Sequence, residues 1–323
     1  HAEPGIAAVE QALQAFPMLS LKRTRKGALL ATWEVEAAGG GRALTAHVDT
    51  LGAMVKEIKH NGRLKLSRIG GYIWNTIEGE GVTVFAARGR QVRGTVLPTK
   101  ASSHVFGGEV GELKRDEDTM EVRLDAKTIS ELETQELGIE VGDFVALDPR
   151  VETNAGFIRS RHLDDKAGVA ALVAAVKALA EAGLKPARTT TFLISNYEEV
   201  GHGAATGIRA EVEELLVVDM AAVGEGQNSD EFHPSLCVKD SGGPYSHNFS
   251  QQLRALADKH KIPYKVDIYP HYGSDGEAWW GAGGDAAVAL IGPGVDASHS
   301  CERTHTEALV GTTKWVLAYL LEE

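Results

Sequence analysis

The chain has 323 residues, 43% of them hydrophobic and 24% charged, with 33 Lys and Arg against 45 Asp and Glu for a formal net charge of −12. This fits a globular chain long enough for two domains, or one domain with an insertion, and argues against nucleic acid as a partner, as does the lack of any run of five basic residues. No apolar stretch approaches the ~18 residues of a membrane span, the opening residues do not read as a signal peptide, and two cysteines, Cys237 and Cys301, cannot form a disulfide framework, so the expected compartment is the cytoplasm.

Residues 6–16 have helical apolar spacing, and strand-like runs follow at 28–33 and 42–55. From about 70 to 152 the texture changes to short β-branched runs, at 82–85, 94–97, 120–124 and 144–147, separated by Gly, Pro and charged turns, with one helix at 130–137. Beyond Asp164, helices and strands alternate. An Ala-rich helix over 165–182 stops at Gly183, and strands are expected at 189–195, 214–219, 235–239, 265–269 and 286–291. A helix over 249–260 has Asn248 or Ser250 as its expected cap, and 312–321 closes the chain as a helix. The pattern predicts an α/β fold, a mixed sheet flanked by helices, interrupted by a small β-rich insertion. The expected boundaries are 1–69 and 153–323 for the α/β domain and 70–152 for the insertion.

Five segments place a potential metal ligand at the edge of an apolar run: His47-Val48-Asp49, Asp164-Asp165, Glu198-Glu199, Asp219 and His305. Ligands of open α/β sheets bind beyond the carboxyl ends of the strands, where His47, the glutamate pair and Asp219 are expected to lie. Adjacent residues within a strand face opposite ways, but at a strand end the backbone turns, so one glutamate can hold a metal while the other handles a proton. Each segment alone has a plainer reading. His47 can be a core residue, Asp164-Asp165 a helix cap, Glu198-Glu199 a solvated face and Asp219 a turn residue. Their coincidence points to imidazole and carboxylate ligands without thiolate, a set that suits zinc, with cobalt or manganese as alternatives. Two such metals sharing a carboxylate would activate a bridging water, and a further carboxylate would carry its proton to a leaving amine.

In order and spacing, His47-Val48-Asp49, Leu163-Asp164-Asp165-Lys166, Glu198-Glu199-Val200-Gly201, Asp219 and His305 resemble metallopeptidase family 42, the tetrahedral and glutamyl-type aminopeptidases, over nearly the whole chain. The resemblance implies two divalent ions per subunit. His47 and Asp219 would complete one site, Glu199 and His305 the other, and Asp164 would bridge them. Asp49 would orient the His47 ring, and Glu198 would be the general base. It also implies short peptide substrates, and a homo-oligomer, dimer or dodecamer, built through a PDZ-like β domain near 70–152. The opening helix is short for the family, as expected of a trimmed start.

Within the family, Gly94-Thr95-Val96-Leu97-Pro98, residues 160–166, Gly226-Gln227-Asn228-Ser229 and Val295-Asp296-Ala297-Ser298-His299 resemble the subgroup associated with the N-acetylglutaminylglutamine amide osmoprotectant system. The chain departs from the family pattern at Cys301-Glu302-Arg303-Thr304-His305, where Arg-Tyr-x-His is usual, and at His202. His299 and His162 are competing ligand candidates. Asp275 is expected to cap a helix, with substrate contact as the alternative. Two other functions share these residues: a metal-dependent deacylase or amidase of a small N-acyl amino acid or dipeptide, and a non-catalytic assembly protein on a peptidase scaffold. An intact ligand set with Glu198 argues against the second. A glycosidase reading of the paired carboxylates would leave the histidines without a role.

Overall fold

Four parallel strands form the middle of a mixed sheet: Thr190–Ser195, Gly41–His47, Val212–Val218 and Ala287–Asp296, in that order. They belong to a computed structural model that describes residues 2–36, 40–87 and 89–323. By contacts the chain divides into two units, one running to Thr50 and resuming at Val151–Glu323, the other Leu51–Arg150.

The sheet of the first unit has twelve strands among the described residues. On one side the hairpin Leu19–Arg23/Leu29–Trp33 pairs antiparallel with Thr190–Ser195. On the other, Glu302–His305 runs antiparallel to the end of Ala287–Asp296 and to Phe157–Ser160. The period-two alternation of the central strands divides their side chains between two cores. Leu44, Phe192, Ile194, Leu216, Val218 and Ile291 pack with the helices Leu163–Glu181, His247–Lys259 and Thr306–Leu321 through Val176, Phe249 and Trp315. Ala43, Leu193, Leu215, Val217 and Leu290 pack on the opposite face with Tyr245, Tyr269 and Trp279. Burial on both faces is why these strands read as unbroken apolar runs, and each buried Leu, Ile, Val or Phe contributes about 1.5–3 kcal/mol.

The helix Leu163–Glu181 stops as its sequence predicts. Gly183 takes φ +66°, its N–H reaches the Ala180 carbonyl at 3.1 Å, and Leu184 N–H reaches that of Leu179 at 2.9 Å, satisfying the last-turn acceptors. At its start, Asp164 and Asp165 are not helical, and the Asp165 carboxylate accepts from Gly168 N–H at 2.9 Å as an N-terminal cap. The cap of His247–Lys259 differs from expectation. Ser246 occupies that position, its hydroxyl accepting instead from Val288 N–H at 2.9 Å, while Asn248 and Ser250 lie inside the helix.

The second unit is a closed barrel of six strands, Gly52–Ile58, Leu64–Ile69, Met120–Leu124, Gln91–Pro98, Gly81–Phe85 and Phe144–Leu147. Its core includes Leu64, Leu66, Val82, Val84, Val96 and Val122. The helix read at 130–137 is Glu131–Glu136, opened by a capping box between Ser130 and Glu133. The barrel unit begins at Leu51, not at 70, because the 42–55 run is two strands of two different sheets, Gly41–His47 and Gly52–Ile58. Hydropathy shows no break between them, since the connecting Val48 and Leu51 are themselves buried.

Candidate metal centre

The strand ends meet in register. Ser195 pairs with His47, and Val217 with Thr45, so Asp219 leaves its strand beside His47. Beyond Ser195 the chain reverses through Tyr197, in the left-handed region at φ +66°, into a single 3-10 turn, Glu198–Val200. This turn lets both glutamates face one centre. Glu198 Oε2 lies 3.6 Å from His47 Nε2, and Glu199 Oε2 lies 3.6 Å from His299 Nε2. Asp275 ties the turn to the sheet by accepting from Thr45 Oγ1 at 3.0 Å, from Ala204 N–H at 2.7 Å and from the Ser195 hydroxyl. It is therefore an anchor, and the cap of its helix is Ser274, whose hydroxyl accepts from Gly276 N–H at 3.1 Å.

Two sets of potential ligand atoms result, each with all atoms within 4.8 Å of one another: His47, Asp164 and Asp219, and Asp164, Glu199 and His299. Asp164 is common to both. Its Oδ1 lies 3.0 Å from His47 Nε2 and its Oδ2 3.4 Å from His299 Nε2. Asp49 stands behind His47, its carboxylate 3.5 Å and its carbonyl 3.2 Å from Nδ1, and it also accepts from Glu199 N–H at 3.1 Å. One aspartate thus fixes the ring of one candidate ligand and the backbone of another. Asp165 accepts from the N–H of His47 at 3.2 Å.

His305 is in neither set. Its ring packs edge-on against Phe157 at 5.0 Å and beside Phe232 at 5.3 Å, and its Nδ1 accepts from Glu307 N–H at 3.2 Å, capping the last helix. The ladder explains this. Ser160, which leads toward Asp164, pairs with Glu302, and Phe157 pairs with His305, so His305 sits three residues, about 10 Å, away along the strand. His299 takes the place expected for it. The signal for His299 was present but hidden. The strand read as ending at 291 runs on through Pro293 and Gly294 to Asp296, so His299 follows a strand end as the other candidates do. His162 is in neither set, and His202 stacks on the Tyr197 ring at 5.3 Å.

The charges of the cluster do not balance. Burial and then the Asp164 carboxylate push Glu199 up to about 8 and Asp219 up to about 7. Burial, reinforced by Asp219, also raises Glu198 and Asp165 well above the carboxylate range. Asp164 and Asp49 move down: hydrogen bonds from His299 and His47 outweigh burial at Asp164, and the His47 ring with the backbone N–H groups of Glu199 and Glu198 outweighs it at Asp49. Burial opposes charge on His47, yet Glu198, Asp164 and Asp49 together raise it. Lys166, its Nζ 3.2 Å from the Val48 carbonyl, is a nearby cation. Buried carboxylates in this excess call for further positive charge, and all-oxygen-and-imidazole sets around a shared aspartate fit divalent ions.

Residues 27–314 match the M42 glutamyl aminopeptidase family. The chain belongs to that family. It is a peptide hydrolase, and membership implies divalent metal ions. It is 50% identical to the Bacillus subtilis (strain 168) protein named "Putative aminopeptidase YhfE" over 299 residues, 92% of this chain and 86% of that one. Its fold is shared with the aminopeptidase APDkam598 of Desulfurococcus kamchatkensis, at a TM-score of 0.88 and 21% identity over 100% of this chain and 90% of that one. The TET1 peptidase of Pyrococcus horikoshii, which can assemble into a tetrahedron or a large octahedral shell, is similar at a TM-score of 0.81 and 21% identity over 97% of this chain and 93% of that one.

Proposed function

We propose that this protein is a di-metal aminopeptidase that removes N-terminal residues from short peptides. The observation that carries this is the pair of ligand sets joined at Asp164, with the Glu198 carboxylate beside them and in neither. His47 and Asp219 would hold one divalent ion and Glu199 and His299 the other, with Asp164 shared. Zinc suits the donors, and cobalt or manganese could replace it. When bound, the ions supply Lewis acidity and lower the pKa of the attacking water.

The protein's own groups do the rest. Glu198 takes the proton of the attacking water and delivers it to the leaving amine, and the raised proton affinity of its buried carboxyl suits it to both transfers. Asp49 holds the His47 ring so that Nε2 faces the centre. The Asp275 anchor keeps the Glu198–Glu199 turn from drifting. The reading extends to a homo-oligomer, dimer or dodecamer, assembled through the β unit Leu51–Arg150 in PDZ-like fashion, in keeping with the assemblies of the Pyrococcus horikoshii TET1 peptidase. It extends also to the cytoplasm, in keeping with Cys237 and Cys301 both being free thiols. No helix among the described residues is long and apolar enough to cross a membrane.

The test is to strip the protein of metal, reload it with zinc, cobalt or manganese, and assay aminoacyl-anilides beside N-blocked dipeptides. Metal-restored cleavage of free-amine substrates alone, reduced at least 100-fold in Glu198→Gln, is the expected result. Cleavage of the blocked substrates would make the protein a deacylase or amidase instead.

A further inference from the structure

Glu302 was not among the residues singled out for chemistry, yet its side chain is fully buried next to the centre. It begins the short strand Glu302–His305, opposite Ser160. Its two oxygens go to two different segments: Oε2 accepts from the N–H of Asp164 at 2.9 Å, and Oε1 from the N–H of His299 at 3.1 Å. The Leu163 N–H is directed at it as well. The segment carrying His299 is a tight turn in which Ala297 and His299 both adopt left-handed backbone, at φ +57° and +62°, a region that residues other than glycine seldom occupy. The turn is closed by Ser300 N–H on the Ala297 carbonyl at 3.0 Å.

We infer that Glu302 is the positioning residue of the Glu199/His299 half of the centre: one carboxylate grips the backbone of Asp164 and of His299 and so sets the spacing of their side chains. The inference rests on the di-metal reading above. A carboxylate is needed because both oxygens must accept. In Glu302→Gln the amide nitrogen faces an N–H donor, so one of the two grips is lost while size and shape are kept. Asp164 is held from its side chain as well, by His47 Nε2 3.0 Å from Oδ1, so the defect is expected to fall on the Glu199/His299 half.

The experiment is a zinc titration of metal-free wild type and Glu302→Gln against a chromophoric chelator, with cobalt-loaded absorption spectra and with kcat and KM at rising metal concentration. Wild type is expected to bind two ions. Glu302→Gln is expected to bind one with affinity within about threefold of wild type and the other at least 10-fold more weakly, to lose the cobalt bands of one site, and to recover kcat at high metal with KM unchanged. Two undiminished sites in the variant, or equal weakening of both, would overturn the role of Glu302 and leave the di-metal reading standing. A wild type that binds fewer than two ions would sink the di-metal reading itself. Should Glu302→Gln fail to fold, Glu302→Asp serves in the same titration, because it keeps the charge but is too short to reach both N–H groups.

Discussion

At the residue scale, two histidines six positions apart have separate tasks. His299 faces Asp164 and Glu199, whereas His305 packs between two phenylalanines and caps a helix. His299→Ala is therefore expected to lower bound metal from two ions to one and to cut kcat by 10-fold or more. His305→Ala should keep both ions and lose about 1 kcal/mol of stability with its cap. Metal analysis and denaturant titration of the two variants decide between them, and the reverse pattern would restore His305 as the ligand. The paired aspartates divide in a similar way. The two readings open in the sequence fall to different residues: Asp165 caps the helix, while Asp164 belongs to both sets of potential ligand atoms. Nothing in the string Leu163-Asp164-Asp165-Lys166 tells them apart, since the backbone turn that separates them depends on the Glu302 and His47 segments packed around it.

At the scale of elements, the helix Asp275–Gly281 holds a second carboxyl pair away from the centre. Glu277 lies against Gly242, and burial, then the neighbouring Asp240, push it from 4.5 up to about 7. A carboxyl whose pKa is raised by folding is bound more tightly by its proton in the folded state. Its contribution is thus complete below about 4.5 and is lost as the pH rises through about 7. Melts of the metal-loaded protein should accordingly show stability falling between these values, with Glu277→Gln flattening the decline. A decline unchanged in the variant would place its origin elsewhere. The strands and helices themselves were largely legible, because the short unbroken apolar runs Phe192 to Ile194 and Leu215 to Val218 and the Gly183 stop are local patterns. The reach of Ala287–Asp296 was not. Pro293 and Gly294 end most strands, but here Pro293 pairs with Pro234, and Val295 is buried. A Cβ on Gly294 would overlap the Asp230 carbonyl, so its close approach, not a break, accounts for the glycine.

At the scale of the whole molecule, the buried acids around Asp164 are expected to make the α/β unit's stability depend on divalent cations. Binding restricted to the folded state adds about 2.7 kcal/mol per site when free metal is 100 times Kd, so chelation should lower Tm by roughly 5 °C or more, and zinc should restore it. Calorimetry with and without chelator tests this, and a Tm indifferent to chelator would remove the structural need for metal. By itself the sequence determined the α/β class, the existence of a β-rich insertion and six of the seven expected site residues now found around one centre, because apolar periodicity and a charged residue ending an apolar run are properties of neighbouring positions. The tertiary structure alone decided that His299 and not His305 faces Asp164, that the insertion begins at Leu51, and that Glu302 lies beneath the centre. These depend on strand register between segments more than a hundred residues apart, as in the pairing of Ser160 with Glu302, and a shift of register along that ladder would exchange which side chain meets the site.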